Sequence, residues 1–425
     1  MKSFFIALLL TTICGCASKQ TLTLIPTPVL YDQSKINPFA HLKSDKKSTY
    51  NSIHFATIRA PMEEQGNLTY GNEISDQLHM GRAQVQIGDD SMQWAELEQD
   101  SLRSIRTKSI PLSLTTITEV AQLPQPDAAK NKQLPQTLTP EQQKFVDEIN
   151  TELADALDKE IMLYVHGTKA AFTNAAFIAA EMDHFSGRDF VSIFFSWPSH
   201  QNIFSYLVGT DVHRAKDASQ SLSMFIEFLA THTTAKRINI LSYSAGARTT
   251  SKAIYEMAQT THARNTYKLG SVIYAAADVP IDTFLERLPA SSALAEKVVL
   301  TVTDDDNVLR AAERFMRGRA RAGSTEAEVE EENFIAQTHL TNVEIIDVSL
   351  GKSTRGFDIT GHRYWYLHPW ISSDIIFLLR TDLPASRRGL SPAEIAGVWY
   401  LAADYPQKVT TAVDRELKAQ WQPKD

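Results

Sequence analysis

From residue 140 onward the chain alternates short runs of apolar, largely β-branched residues with spacers of helical length. The runs cover residues 161–165, 190–195, 238–241, 271–275, 298–302 and 343–348. Continuous apolar runs, as opposed to strict apolar–polar alternation, belong to strands buried on both faces, and helix-length spacers join such strands as parallel neighbours. The pattern predicts an α/β fold with a mostly parallel central sheet and helices on both faces. Thr139-Pro140-Glu141-Gln142 has the form of a helix start, with Thr as N-cap and Pro at the first helical position. Upstream, residues 53–59 and 82–87 read as two further strands, and the Pro- and Gln-rich stretch 123–140 reads as a surface loop. No internal repeat is visible.

The ends of the chain follow a different pattern. Lys2 precedes an apolar run over residues 4–12 that is too short to span a bilayer and reads as an export signal. It runs into Ile13-Cys14-Gly15-Cys16, which resembles the bacterial lipobox, and Cys16 is the position that matches the lipid-bearing cysteine. That resemblance implies attachment to the membrane through a lipid anchor, and Ala17 implies sorting to the outer membrane of a Gram-negative cell envelope. Residues 18–48 are polar, with scattered Pro and Lys, and suit a flexible tether. The expected organisation is therefore a signal over 1–16, a tether over 17–48, a folded domain over 49–410 and a tail over 411–425.

Composition narrows the function. With 425 residues, 43% hydrophobic and 22% charged, the chain can bury a large core. A net charge of -8 gives no overall basic surface for phosphates, so nucleic acid is not an expected partner. Both cysteines lie in the signal, which leaves the folded part without disulfides or a Cys-based metal site.

The central chemical signal is Ser242-Tyr243-Ser244-Ala245-Gly246, where an apolar strand runs directly into a helix predicted through Ala258. A serine on such a turn is held in a strained backbone conformation, and the residues two before and two after it must be small. Ser242 stands where Gly is usual. Upstream, the strand 161–165 enters His166-Gly167-Thr168-Lys169. A His-Gly loop of this kind supplies one backbone N–H to an oxyanion hole, here from Gly167 or Thr168, and Ala245 supplies the other. His166 itself reads as structural.

A serine nucleophile needs an imidazole to take its proton and a carboxylate to orient that imidazole. The strand 298–302 leads into Asp304-Asp305-Asp306, and Asp306 is favoured because it lies far enough past the strand to turn back over the sheet. Asp304 is second. Asp278, after the strand ending at Ala275, is either the acid or a helix N-cap. For the base, His362 follows the last predicted strand on a Gly-containing loop, while the alternative, His368, is followed by Pro369 and suits a structural turn.

Taken together, Val165-His166-Gly167, Phe195-Ser196-Trp197-Pro198-Ser199, the serine turn, Phe55-Ala56-Thr57-Ile58-Arg59, Tyr70-Gly71-Asn72 and Gly361-His362 resemble a bacterial α/β-hydrolase group of uncharacterised function, over about residues 50–380. The resemblance implies the α/β-hydrolase fold and a triad of Ser244, Asp306 and His362. Phe195 and Trp197 read either as an acyl-pocket lining or as core. The expected activity is that of an anchored serine hydrolase, carboxylesterase- or lipase-like, cleaving a small-molecule or lipid ester without metal or organic cofactor. Thioesterase and peptidase chemistry use the same parts, and a non-catalytic envelope scaffold is the alternative of another class. Residues 310–337, between acid and base, read as a candidate lid; the acidic run 326–332, with Arg317, Arg319 and Arg321, reads as a solvated mixed-charge helix.

Overall fold

The computed structural model describes residues 22–32, 36–126, 134, 137–199, 210–260, 264–310, 320–325, 340–350, 360–419 and 421. Cys16 and most of 310–337, including the acidic run with Arg317 and Arg319, lie outside the described residues.

Among the described residues eleven strands form one sheet. They are β1 (Tyr50–Glu64), β2 (Asn67–Ile87), β3 (Leu112–Pro124), β4 (Glu160–Val165), β5 (Val191–Ser196), β6 (Arg237–Tyr243), β7 (Leu269–Ala275), β8 (Ala295–Val302), β9 (Val343–Asp347), β10 (Ser391–Pro392) and β11 (Val398–Tyr400). Their order across the sheet is β10-β11-β9-β8-β7-β6-β4-β5-β1-β2-β3. From β11 to β1 all neighbours run parallel; β10 at one edge and β2 and β3 at the other are antiparallel.

The apolar runs have the predicted consequence. In β4, Ile161, Leu163 and Val165 enter one core layer and Met162 and Tyr164 the opposite one. Helices Pro140–Asp155, Thr210–His232, Gly246–Ala258 and Ile281–Leu294 cover the first face. Helices Phe172–Phe185, Pro369–Thr381 and Tyr405–Glu416 cover the second. Thr139 caps its helix as expected, with Gln142 closing a reciprocal capping box.

Four expectations need correction. Of the tether expected over 17–48, the described residues 22–32 are not free: Leu24 and Ile25 are buried, the amide of Leu24 donates to the Ile110 carbonyl at 2.8 Å, and the Ile25 amide donates to buried Glu181 at 2.8 Å. Arg106 adds bonds to the carbonyls of Leu24 (3.0 Å) and Ile25 (2.7 Å). Polar composition misled because the few apolar residues here carry all the packing. Nor are the described residues of the tail expected over 411–425 loose, since Val413, Leu417 and Trp421 are buried in the second core layer. The upstream strands are longer than 53–59 and 82–87, and β3 was not foreseen. The outer halves of β1 and β2 form a half-solvated antiparallel arm with little apolar signal. Finally, Arg321 is not a solvated helix residue; it is buried against Asp278 at 3.3 Å.

Candidate active site

Strand β6 delivers Ser244 to the carboxyl edge of the sheet, at the turn into helix Gly246–Ala258. Its φ of 53° is in the left-handed region, which costs a non-glycine residue about 1–3 kcal/mol. The surroundings enforce it. The Ser244 amide donates to the Ala275 carbonyl at 3.0 Å, its carbonyl accepts from Asp278 N–H at 3.2 Å, and β4 crowds the turn from the other side. A Cβ at position 246 would come within 2.5 Å of the Val165 carbonyl oxygen, so only glycine fits there. Ser242 is accommodated where glycine is usual because its hydroxyl donates to the Ile273 carbonyl at 3.0 Å.

The structure brings the three favoured residues into one hydrogen-bonded line. The Ser244 hydroxyl lies 2.8 Å from His362 Nε2, and His362 Nδ1 lies 2.6 Å from Asp306 Oδ2. The second carboxylate oxygen of Asp306 accepts the amides of Val308 and Leu309, both at 2.9 Å. An Asp so placed accepts from Nδ1–H and thereby leaves Nε2 free to accept the serine proton. All three side chains are buried. The loops carrying acid and base are fitted to each other: Asn307 N–H donates to the Thr360 carbonyl at 3.1 Å, and a Cβ on Gly361 would collide with the Asp305 carbonyl. Two residues on, buried Tyr364 fixes this loop to the sheet, its hydroxyl accepting from Ala276 N–H at 2.9 Å and lying 2.7 Å from Thr301 Oγ1.

The alternatives are occupied elsewhere. Asp304 is exposed. Asp278 is buried between Arg248 (3.2 Å) and Arg321 (3.3 Å) and is not the helix cap, since the following helix starts at Ile281 with Pro280 at its N-cap. His368 caps helix Pro369–Thr381 by accepting from Trp370 N–H at 3.3 Å, and burial pushes its pKa down to about 4.

Gly167 packs against the serine: a Cβ there would stand 2.8 Å from Ser244 Cβ. If this loop supplies an oxyanion donor, Gly167→Ala is expected to lower kcat by about 10²-fold with a folded protein, because a donor displaced by about 1 Å loses its alignment. Thermal unfolding alongside ester kinetics would separate this from simple destabilisation. Thr168 follows on the same loop, half-buried. His166 is structural, as read: its Nε2 accepts from Trp197 N–H at 3.1 Å, its Nδ1 donates to the Gly167 carbonyl at 2.6 Å, and its ring stacks on Trp197. Burial, with the charge of Arg59 nearby, pushes the His166 pKa down to about 3. The folded form thus binds fewer protons than the unfolded one. The stability this lends is whole above about pH 6.5 and drains away as pH falls toward 3. Imidazole NMR signals of His166 are expected to stay at their neutral position from pH 8 to 5; titration within that range would contradict the arrangement.

The Phe-Ser-Trp-Pro-Ser stretch has a clear task. Phe195 and Trp197 are fully buried core residues. Trp197 Nε1 donates to the His166 carbonyl at 2.8 Å, and Ser199 Oγ donates to the Ala170 carbonyl at 3.0 Å. Buried Arg59, which residue-by-residue reading gave no role, donates to Ser196 Oγ (2.8 Å), Gly71 O (2.9 Å), Asn72 Oδ1 (2.8 Å) and Ala170 O (2.6 Å). One guanidinium thus ties three separate sequence motifs to the His-Gly loop. Tyr243 was also missed. Half-buried beside the nucleophile, its ring centroid is 5.1 Å from His362 and 5.5 Å from Trp365.

A second serine–histidine–carboxylate line exists on the β2–β3 arm. Ser75 Oγ is 2.8 Å from His79 Nε2, and His79 Nδ1 is 2.9 Å from Glu119. Ser75 sits in a strand with no helix N-terminus beside it, and its hydroxyl already accepts the Gln77 amide at 3.1 Å. Glu119 also accepts from Tyr70 and Gln122, which with His79 hold its carboxyl down to about 2. That line crosslinks the arm.

Residues 141–378 match the family model described as an alpha/beta hydrolase of unknown function (DUF900), a span that contains Ser244, Asp306 and His362. No curated protein matches the chain.

Proposed function

Because the chain belongs to this family of α/β hydrolases of unknown function, we propose that it is a membrane-anchored serine hydrolase that cleaves carboxylic esters through an acyl-enzyme on Ser244. The observation that carries this reading is the line from Ser244 Oγ through both ring nitrogens of His362 to Asp306, with the serine at positive φ on a strand-to-helix turn. In the forward step His362 Nε2 takes the hydroxyl proton as Ser244 Oγ attacks the ester carbonyl, and Asp306 steadies the imidazolium. The oxyanion forms against the Ala245 amide at the helix start and an amide of the Gly167–Thr168 loop, where the helix dipole also favours negative charge. Collapse expels the alkoxide, which takes the proton from His362. Water, deprotonated by the same nitrogen, then releases the acid and restores Ser244.

In this reading Cys16 carries the lipid and the body works at the cell envelope. A Cys16→Ser variant is expected to appear in the soluble fraction without lipid label; unchanged membrane retention would refute the anchor. Activity is tested with a fluorophosphonate probe and p-nitrophenyl esters on residues 17–425. The probe is expected on the peptide holding Ser244 and not on that holding Ser75. Folded protein that takes no label on Ser244 would overturn the assignment.

A further inference from the structure

The residue before the nucleophile is a tyrosine, and the strand that carries it decides where its ring goes. Side chains alternate along β6, so Ser242 turns its hydroxyl onto the Ile273 carbonyl while Tyr243 packs on the second core layer. There its ring is half-buried and held from several sides. Fully buried Trp365 backs it at 5.5 Å between centroids and is itself packed on Tyr164 at 5.9 Å. Tyr366 meets it edge-on at 6.3 Å. On the side of the His-Gly loop, a Cβ added to Gly167 would stand 3.3 Å from Tyr243 Cδ1.

Toward the base, the same ring makes a tilted stack with His362, 5.1 Å between centroids and 38° between planes. Tyr243 thus adjoins the nucleophile through the chain, the His-Gly loop through one edge and the base through its ring. The contact with His362 bears on charge as well as on packing. In the hydrolytic cycle His362 becomes an imidazolium each time it holds the proton of Ser244 or of water. That cation forms among buried side chains, with little water to solvate it. Asp306 neutralises it from the Nδ1 edge, at 2.6 Å. An aromatic face carries negative charge and attracts a cation within about 6 Å of its centroid, more strongly where the cation is desolvated. Tyr243 stands inside that range. Neutral imidazole gains little from such a face, so the attraction grows as the proton arrives and favours the transition state over the resting enzyme.

We propose that Tyr243 is a positioning residue for the base: its ring holds His362 between Ser244 and Asp306, and its π face stabilises the imidazolium while the proton is on Nε2. No bond to Tyr243 forms, and its hydroxyl takes no part. This role rests on the hydrolase reading of Ser244, His362 and Asp306.

The test measures p-nitrophenyl butyrate kinetics on the whole chain, with thermal unfolding alongside. Tyr243→Phe keeps the face and is expected to turn over within about two-fold of the parent. Phenylalanines of increasing ring fluorination at position 243 drain the face of its negative charge with little change in size. Along that series kcat is expected to fall stepwise, by about ten-fold at full fluorination, with KM within about two-fold. Tyr243→Leu, which has bulk and no face, is expected to lose a similar factor. A packing role alone would leave the fluorinated series level. An unchanged kcat along the series, or an equally large fall for Tyr243→Phe, overturns the proposal, and the fluorinated rings decide it even where Tyr243→Leu fails to fold. Absence of fluorophosphonate label on Ser244 of the parent overturns the hydrolase reading and the role of Tyr243 together, whereas a labelled parent with a level series overturns the role of Tyr243 alone.

Discussion

Ser244→Ala is expected to reduce ester turnover by about 10⁴- to 10⁶-fold and to abolish fluorophosphonate labelling, with little change in thermal stability. The nucleophile bears the covalent chemistry, so nothing else in the line compensates for its loss. The fold should tolerate the change. Ser244 is held by its backbone bonds to Ala275 and Asp278, which alanine keeps, and the strained φ is inherited unchanged. What disappears is one hydroxyl facing His362. Activity within ten-fold of the parent, measured on p-nitrophenyl butyrate with unfolding monitored by circular dichroism, would show that the reacting group lies elsewhere.

The second large effect separates two histidines only six positions apart. His362→Ala is expected to cost a similar 10⁴-fold or more in kcat, since no other described ring nitrogen stands at hydrogen-bond distance from Ser244. His368→Ala removes the side-chain acceptor for the Trp370 amide at the start of a buried helix. It should cost about 1 kcal/mol of stability and leave kcat nearly unchanged. The contrast is the informative quantity. If His368→Ala alone silenced turnover while His362→Ala did not, the hydrogen bond to Ser244 would have no catalytic meaning.

The two histidines are separable in the sequence because Pro369 after His368 suits a structural turn; the turn is a helix start, which His368 caps. The parallel strands were equally plain, because strands buried on both faces must be continuously apolar. Ser244 was visible through its neighbours more than through its own motif, which lacks the usual first glycine. The structure supplies the physical reason that the substitution is harmless, a serine hydroxyl turned back onto β7. Arg59 was opaque for the opposite reason. Its partners are mainly carbonyl oxygens and hydroxyls from distant segments, and carbonyl acceptors have no letter in a sequence. Arg321 reads as a solvated residue and Asp278 as acid or cap because their mutual burial as opposite charges leaves no trace in the sequence. The strap and the carboxyl-terminal segment were lost to composition, since a handful of apolar anchors among polar residues resembles a linker until their partners are known.

The docking of residues 22–31 also bears on the timing of folding during synthesis. Leu30 donates its amide to Ser373, and the ring of Tyr31 packs 6.1 Å from that of Trp421. The first described segment thus completes its contacts only with one of the last. Closing a loop of that length is slow, and the contacts that reward it cannot form early. Until the final residues arrive, the leading segment is held by its bonds to Ile110, Leu112, Glu181 and Arg106. A copy truncated before Trp421 therefore loses the partner of Tyr31 and leaves the strap less firmly held, a mark by which proteases can tell unfinished molecules from finished ones.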